Sequence, residues 1–168
     1  DYVNTASIDT VTILDISNVG VHDMTGIEDF ISLEELYCYQ NNYPILNLNN
    51  NTQLKKVDIL TNFGIDSIFI DNWVNLTDFK CSNTTLTFID VTNNVNLINL
   101  NLGASLLTSI DVTQNTNLEM LSVSASYITT IDVTNNILLK ELFLHSTNIT
   151  TLDVSSNTTL TYLECGGN

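Results

Sequence analysis

The chain contains no arginine and only four lysines, against 19 aspartate and glutamate residues in a length of 168, which gives a formal charge of -15. Proteins that bind nucleic acid need a cluster of basic side chains to neutralise phosphates, so this composition disfavours such a function. An anionic membrane surface is disfavoured for the same reason. The sequence also has no apolar run near the roughly 18 residues that a membrane span requires.

Cysteine and the motifs of catalysis are scarce as well. Cys38, Cys81 and Cys165 are odd in number and widely spaced, which rules out a disulfide framework or a metal cluster of the CxxC type. The two histidines, His22 and His145, are too far apart along the repeat described below to act together. No GxSxG, HExxH or phosphate-binding glycine loop occurs. We therefore expect neither enzymatic activity nor a cofactor.

The sequence does contain an internal repeat, in which the pattern LxxLxL recurs at steps of 21 or 22 residues. The first positions of its copies are Val11, Leu33, Leu54, Leu76, Leu97, Leu118, Leu139 and Leu160. A fixed period of this length is the sequence signature of a stacked repeat architecture. At 43% hydrophobic residues, the chain can fill a continuous core.

A second pattern, Ile-Asp-Val-Thr or a close variant, lies halfway between the LxxLxL copies. Its aspartates are Asp90, Asp111, Asp132 and Asp153, and an asparagine stands three residues before each following leucine, at Asn94, Asn115, Asn136 and Asn157. Both halves of the unit alternate apolar and polar residues, which is the periodicity of a β-strand. The pattern predicts one short strand on each side of every coil.

These motifs resemble the leucine-rich repeat family in its short 21-residue bacterial form, whose consensus is close to LxxLxCxxNxLxxLDLxxNxx. The segment 118–138 fills most of that pattern. The resemblance implies a predominantly β leucine-rich repeat solenoid of about eight coils, with a parallel concave sheet and short strands on the opposite side. The family's turn asparagine is matched by Asn41, Asn62 and Asn168. It is replaced by Thr84, Ser105, Ser126 and Thr147, whose hydroxyls are able to bond locally.

The two ends of the chain differ from the regular repeats. Residues 1–31 depart most from the pattern, and Met24, Ile27 and Phe30 lie at helical spacing, so we expect an N-terminal cap with a degenerate first repeat and the little helix of the fold. Residues 32–168 form the repeats. Because the sequence stops halfway through a repeat, we expect an uncapped C-terminal end, a natural protein that continues, and a monomer or weak self-association through that end.

Aromatic side chains at outward positions of the predicted concave sheet are candidates for partner binding. They are Tyr37, Tyr39, Phe143, His145 and Tyr162. Rigid exposed aromatics bury a large area at small entropic cost, which makes them frequent anchors of binding surfaces. The alternative is that they are ordinary surface residues of β structure, where aromatics pair across strands.

A second candidate contact is apolar and lies in an irregular repeat. Phe69 occupies the position that other coils give to aspartate, and Trp73 follows closely. These residues either contact a partner or another copy of the protein, or Trp73 folds over Phe69 as a small local core.

The ladder of Asp90, Asp111, Asp132 and Asp153 brings like charges together. Hydroxyl and backbone N–H donors, raised pKa values, or Ca²⁺ bound between aspartate and asparagine oxygens could relieve the repulsion. We assign no metal site, with this ladder as a weak Ca²⁺ candidate. The three cysteines take the inward position held by Ile59 or Leu102 in other coils, so each is expected to be a small buried group.

The family resemblance implies a binding scaffold, and the residues point to no chemistry. We therefore expect a non-catalytic recognition or adhesion module of a secreted or surface-exposed bacterial protein, with a protein or a surface glycan as its partner. The alternatives are a structural spacer within a larger surface protein and a carbohydrate-binding module. The fold provides a platform, and no motif names the ligand.

Overall fold

A computed structural model of the protein describes residues 8–43 and 46–168. Eight three-residue strands form one parallel sheet in sequence order. The strands are β1 (Ile13–Asp15), β2 (Glu35–Tyr37), β3 (Lys56–Asp58), β4 (Asp78–Lys80), β5 (Asn99–Asn101), β6 (Met120–Ser122), β7 (Glu141–Phe143) and β8 (Tyr162–Glu164). The predicted parallel sheet, with one strand per coil, is confirmed.

The second apolar residue of each LxxLxL pattern is the central residue of its strand, and from β2 to β7 it is buried in the core. The pairing register aligns Leu36 with Val57, and Leu100 with Leu121, so equivalent positions of successive coils stack directly. The flanking residues of every strand then point out of the concave face, because successive side chains of a strand alternate between its two sides. The spacing of the repeat thus determines which side chains this face presents.

The core runs as one continuous cluster along the stack. Buried residues on the sheet side, such as Leu118 and Leu121, belong to the same cluster as buried residues of the opposite arm, such as Val112 and Val133. The opposite arm is the part of each coil that lies across the core from the sheet. Within the described ranges, helix is limited to one 3₁₀ turn at Ile27–Asp29. The protein is therefore a β-solenoid with almost no helix, as the repeat predicts, and it has about seven turns where about eight coils were expected.

Each coil leaves the sheet through a residue in the left-handed backbone region. The non-glycine residues of this column have φ between 51° and 57°: Asn18, Gln40, Thr61, Asn83, Ala104, Ala125 and Ser146. Gly167 continues the column with a φ of 75°. A left-handed residue reverses the chain sharply, and it strains every residue type except glycine.

The prediction of short strands on the side opposite the sheet is wrong for the described part of the chain. The segments around Asp90, Asp111, Asp132 and Asp153 are extended or in turns, and their backbones do not pair as strands with those of the neighbouring coils. The N–H of Thr92 bonds to its own coil, at 2.9 Å from Asp90 Oδ1, and the same bond recurs in the next three coils. Such local side-chain bonds use donors that a strand ladder would need.

Asparagine carboxamides hold the coils together on this side instead. Asn115 Nδ2 lies 2.9 Å from the carbonyl oxygens of both Val91 and Asn94 in the preceding coil. Equivalent pairs of bonds are made by Asn51, Asn94, Asn136 and Asn157. All five side chains are buried. We call this column the asparagine ladder.

The turn that follows each strand uses a second set of polar side chains. Asn62 Nδ2 donates to the carbonyl of Ile59 in its own coil and to that of Cys38 in the preceding one. Where a hydroxyl replaces asparagine, it donates to a carbonyl of its own coil, as Ser105 Oγ does to the Leu102 carbonyl at 2.7 Å. Thr84, Ser126 and Thr147 make the same local bond. The expected local bonding of these hydroxyls is confirmed.

The degenerate first repeat contributes a regular strand, because β1 pairs with β2 in the common register. Met24 and Ile27 are buried beside the 3₁₀ turn, which agrees with their helical spacing. The assignment of residues 1–31 to an N-terminal cap and of 32–168 to the repeats stays a prediction, and residues 1–7 lie outside the described part of the chain.

Candidate binding faces

Three of the five concave candidates form one cluster near the C-terminal end of the sheet. The rings of Phe143 and Tyr162 pack with their centroids 5.1 Å apart and their planes at 39°. The two residues sit on neighbouring strands, diagonally across the β7–β8 register. Tyr162 is half exposed, and Phe143 is partly buried. We call Phe143, His145 and Tyr162 the C-terminal cluster.

A carboxylate flanks the C-terminal cluster. His145 Nδ1 lies 3.3 Å from Glu164 Oε2, and both side chains are about 40% exposed. The imidazole and the carboxylate therefore border the aromatic pair with groups that are able to accept or donate hydrogen bonds to a partner. This arrangement, with an apolar centre and a polar margin, is typical of protein interfaces.

The two remaining concave candidates lie at the other end of the sheet. The Tyr37 hydroxyl donates to Glu35 Oε2 at 2.7 Å, and this bond raises the pKa of Tyr37 to about 12 and lowers the pKa of Glu35. Lys56 Nζ lies 3.4 Å from the same carboxylate. Tyr39 is 38% exposed. The Tyr37 hydroxyl is thus held in place by Glu35, and its proton is already used in that hydrogen bond. Tyr39 is the partly exposed tyrosine whose hydroxyl makes no such bond among the described residues.

Small polar residues separate the two groups of aromatics. Ser82 donates a hydrogen bond to the side-chain oxygen of Asn101 in the next coil. Gly103 lies close to the neighbouring backbone, because an added Cβ would come within 3.1 Å of the Ser124 carbonyl oxygen. From β2 to β7 the sheet spans five rungs, or about 24 Å. The concave face therefore carries two separate candidate anchors.

All four lysines lie on the strands or the residue before them, and each pairs with an acid of the preceding coil. The N–O distances are 2.8 Å for Lys55–Glu34, 3.4 Å for Lys56–Glu35, 3.8 Å for Lys80–Asp58 and 2.8 Å for Lys140–Glu119. Exposed pairs of this kind contribute little to stability. Their effect is on the distribution of charge. Because all four lysines lie on the sheet side, the opposite arms of the described coils carry acidic side chains and no lysine.

The structure overturns the role predicted for Trp73. Its side chain is fully buried, with its ring edge toward Phe79 at a centroid distance of 6.0 Å. Its indole N–H donates to the Leu48 carbonyl at 3.2 Å, so Trp73 takes the place of an asparagine in the asparagine ladder. Trp73 is therefore a core residue that neither contacts a partner nor covers Phe69, which is 72% exposed.

Sequence reasoning missed a second exposed phenylalanine, on the coil that follows that of Phe69. Phe88 is 68% exposed on the following coil. The signal was available in its column, where later coils place the polar residues Ser109, Thr130 and Thr151. An apolar residue at a position that is otherwise polar indicates outward exposure.

Each aspartate of the Asp ladder is satisfied within its own coil. The Thr134 hydroxyl and backbone N–H both donate to Asp132 Oδ1, at 2.6 and 3.0 Å, and these bonds lower the pKa of Asp132. The pKa values of Asp90 and Asp153 are lowered in the same way, so the raised values considered above are wrong for these three. In the described residues, no three His, Cys, Asp or Glu side chains come together to hold a metal ion.

Two of the three cysteines have the expected environment. Cys38 and Cys81 are buried, and burial raises the pKa of each thiol to about 12. Cys165 is exposed, which corrects the expectation that it is buried. It lies on the last described coil, where no further coil covers its inward side.

One surface depression lies outside the candidate residues. It is an open groove of about 470 Å³, and its lining includes Lys55, Asn96, Ile98, Asn117 and Leu138. The carboxamides of Asn96 and Asn117 each donate to a carbonyl of the preceding coil. No helix among the described residues is long and apolar enough to cross a membrane.

No family model matches the sequence, and no curated protein does. Among solved structures, the functional domain of InlJ from Listeria monocytogenes, which includes a cysteine ladder, matches with a TM-score of 0.77 and 32% identity. That match covers 98% of this chain and 41% of the InlJ chain.

Two other solved structures share the fold. A leucine-rich repeat protein of Leptospira interrogans matches with a TM-score of 0.83 and 24% identity, over 92% of this chain and 43% of its own. Internalin C2 of Listeria monocytogenes gives 0.81 and 22%, over 96% and 74%. The chain thus spans less than half the length of the InlJ and Leptospira structures. With its 21-residue period and its parallel sheet, the chain matches the leucine-rich repeat proteins of the short bacterial type in repeat and in fold.

Proposed function

We propose that the chain is a non-catalytic recognition module that binds a protein partner through its concave face, within a secreted or surface-exposed bacterial protein. The observation that carries the proposal is the packed pair of Phe143 and Tyr162 on the concave side of β7 and β8. The structural likeness to internalins supports it. So does the strongly acidic composition, which suits an extracellular setting.

The C-terminal cluster has the physical properties of an interface anchor. An aromatic side chain offers on the order of 150–250 Å² for burial, and a partner gains most where such residues are rigid and grouped. Here the strands fix the backbone, and the mutual packing of Phe143 and Tyr162 restricts their rotamers before any partner arrives. Little conformational entropy is then lost on binding.

The separation of the two aromatic groups favours a protein over a small ligand. Tyr39 and the C-terminal cluster lie about 24 Å apart along the stack. A folded partner is able to touch both groups, since standard interfaces bury roughly 800 Å² on each side. The small residues between them, such as Ser122 and Gly103, allow that partner to approach the sheet closely.

Substitutions taken from the neighbouring coils test the proposal without disturbing the fold. Phe143→Ser introduces the residue that the preceding coil has at this position, Ser122, and Tyr162→Glu introduces that of Glu141. Tyr127→Asn is the matched control, because Tyr127 is an exposed aromatic outside the strands and Asn148 holds its place one coil later. Melting temperatures establish that each variant is folded.

Binding is measured by interferometry against a panel of purified extracellular proteins and against a glycan array. We expect a protein ligand whose affinity falls at least about 30-fold for Phe143→Ser and stays unchanged for Tyr127→Asn, as for other buried aromatic anchors. A glycan ligand that is lost on Tyr37→Ala contradicts the proposal in favour of carbohydrate binding. If the variants leave the activity of the full-length protein unchanged and no ligand is found, the chain is a spacer.

A further inference from the structure

A second exposed aromatic surface lies on the side of the coils opposite the sheet. Phe69 and Phe88 are 72% and 68% exposed and belong to consecutive coils. Phe69 and Asp90 each lie seven residues before an inward leucine, so they stack, and Phe88 precedes Asp90 by two residues on the same outward side. We call Phe69, Phe88 and the exposed acids Asp66, Asp71 and Asp90 around them the convex patch.

The core does not require these two phenylalanines. The inward positions beside them are already filled by buried Ile68, Ile70, Ile89 and Val91. In later coils the same outward columns hold serine or threonine in place of Phe88 and aspartate in place of Phe69, and the strands there pair in the same register. Two large apolar side chains exposed on consecutive coils, in columns that are polar in the later coils, mark an interaction site.

The charges around the patch have one sign. Asp66, Asp71 and Asp90 are exposed, and among the described residues none of them takes part in an ion pair. The lysines lie on the sheet side, each already beside an acid. A binding partner therefore meets an apolar centre with an uncompensated acidic margin.

This combination selects the chemistry of the partner. A second copy of the chain, with a formal charge of -15 and the same acidic margin, is repelled. Lysine or arginine side chains are attracted both by the carboxylates and by the faces of the two phenyl rings. We propose that the convex patch binds a protein segment that combines basic and apolar side chains.

The site is independent of the concave face. The patch residues lie on the connections from β3 to β4 and from β4 to β5, whereas the C-terminal cluster lies on β7, on β8 and on the loop that follows β7. The module is therefore able to hold two partners at once, one on each side. Loss of either surface leaves the other intact.

Fluorescent peptides of defined composition test the proposal on the whole chain. The probe alternates arginine and leucine, and two comparison peptides replace arginine by glutamate or leucine by glycine. Binding is followed by fluorescence anisotropy at two salt concentrations. We expect the arginine–leucine peptide to bind more tightly than either comparison peptide, with an affinity that weakens as salt increases.

Two variants take their residues from equivalent positions and so preserve the fold. Phe69→Asp copies Asp90, and Phe88→Ser copies Ser109. We expect each to weaken binding of the arginine–leucine peptide at least about tenfold. In Phe69→Asp the new carboxylate attracts a basic peptide more strongly than phenylalanine does. A loss of affinity in this variant therefore measures the apolar contact and not the net charge of the protein. Asp71→Asn is expected to weaken binding and to reduce its salt dependence.

The controls are Tyr127→Asn, an exposed aromatic elsewhere, and Phe143→Ser on the concave face, both of which should bind the peptide normally. Equal binding of the arginine–glycine peptide, or an unchanged affinity after Phe69→Asp, overturns the proposal and leaves only nonspecific attraction to an acidic protein. Loss of binding on Phe143→Ser also overturns it, since the peptide then occupies the concave face.

Discussion

The side-chain amide of Asn115 bonds to the backbone carbonyl of Asn94, the residue that holds the same place one coil earlier, at 2.9 Å. A second bond of 2.9 Å reaches the Val91 carbonyl. Repetition of this pair of bonds in the asparagine ladder connects neighbouring coils where the backbone forms no sheet. The ladder is therefore the polar counterpart of the concave sheet.

We expect Asn115→Ala to lower the free energy of unfolding by about 1–2 kcal/mol. The substitution removes two buried hydrogen bonds of about 1 kcal/mol each, and part of the cost is offset because Asn115 Oδ1 accepts no hydrogen bond from the described residues. Urea unfolding followed by circular dichroism measures the change.

Asn117→Ala is the matched control, because Asn117 is exposed and makes a single bond to the Val95 carbonyl at 3.0 Å. Its cost should stay within about 0.5 kcal/mol, as for most surface substitutions. Equal costs for Asn115→Ala and Asn117→Ala would show that the asparagine ladder does not stabilise the coils.

Thr61→Gly is expected to stabilise the protein by about 0.5–1 kcal/mol. Thr61 is β-branched and has a φ of 57°, where a side chain costs about 1–2 kcal/mol and glycine costs nothing. The greater flexibility of glycine in the unfolded chain returns part of this gain. Thermal and urea unfolding give the sign.

Ser122→Gly provides the comparison for Thr61→Gly at an ordinary strand position. There the same kind of change should destabilise the protein by about 0.5–1 kcal/mol, because glycine brings only its entropy cost. A loss of stability in Thr61→Gly as large as that in Ser122→Gly would contradict the strain assigned to the left-handed column.

In the native protein we expect a thiol reagent to label Cys165 and to leave Cys38 and Cys81 unmodified at neutral pH. Cys165 is exposed, whereas burial raises the pKa of the other two thiols to about 12, so that almost no thiolate is present. Mass spectrometry after labelling counts the modified sites. Cys165→Ser should show no labelling until the chain is unfolded, and labelling of Cys81 at the rate of Cys165 would refute the assignment.

The stabilising effect of the Thr134 hydroxyl should depend on pH. Its bond to Asp132 lowers the pKa of that carboxyl below the reference value of 3.8, so its contribution is present above that value and is lost as the pH falls below it. The difference in urea midpoint between the wild type and Thr134→Val should be constant above about pH 5 and should shrink toward pH 2.

Thr130→Val serves as the control for Thr134→Val, because Thr130 is an exposed threonine outside the aspartate column. Its difference from the wild type should not change with pH. Comparing variants also cancels the general effect of protonating a strongly acidic protein. A pH-independent difference for Thr134→Val would show that the hydroxyl does not act on the carboxylate.

The period of the repeat was sufficient to predict the sheet. Residues such as Leu36 and Leu121 recur at the spacing of the coils, and strand geometry then determines that their neighbours point outward. For that reason the concave positions of Tyr39 and Phe143 follow from the sequence. The contacts of these side chains do not, because the bond of Tyr37 to Glu35 depends on rotamers that spacing leaves open.

The errors have identifiable physical causes. Alternation at Ile-Asp-Val-Thr resembles a strand, but aspartate and threonine bond to each other within a turn instead. Trp73 stands three residues before Leu76, as Asn94 stands before Leu97, so its inward direction was readable from the register. The exposure of Cys165 reflects its place on the last described coil, which the repeat pattern alone does not express.

Contacts between strands occur along the stack between consecutive coils, so each coil is held by its immediate neighbours. Under tension applied to the two ends of the chain, the terminal coils therefore detach first and the interior remains folded. Each 21-residue coil occupies about 5 Å of the stack and releases about 70 Å of extended chain. The solenoid is thus built to lengthen in steps, and it keeps the remaining coils, with their two faces, assembled while it does so.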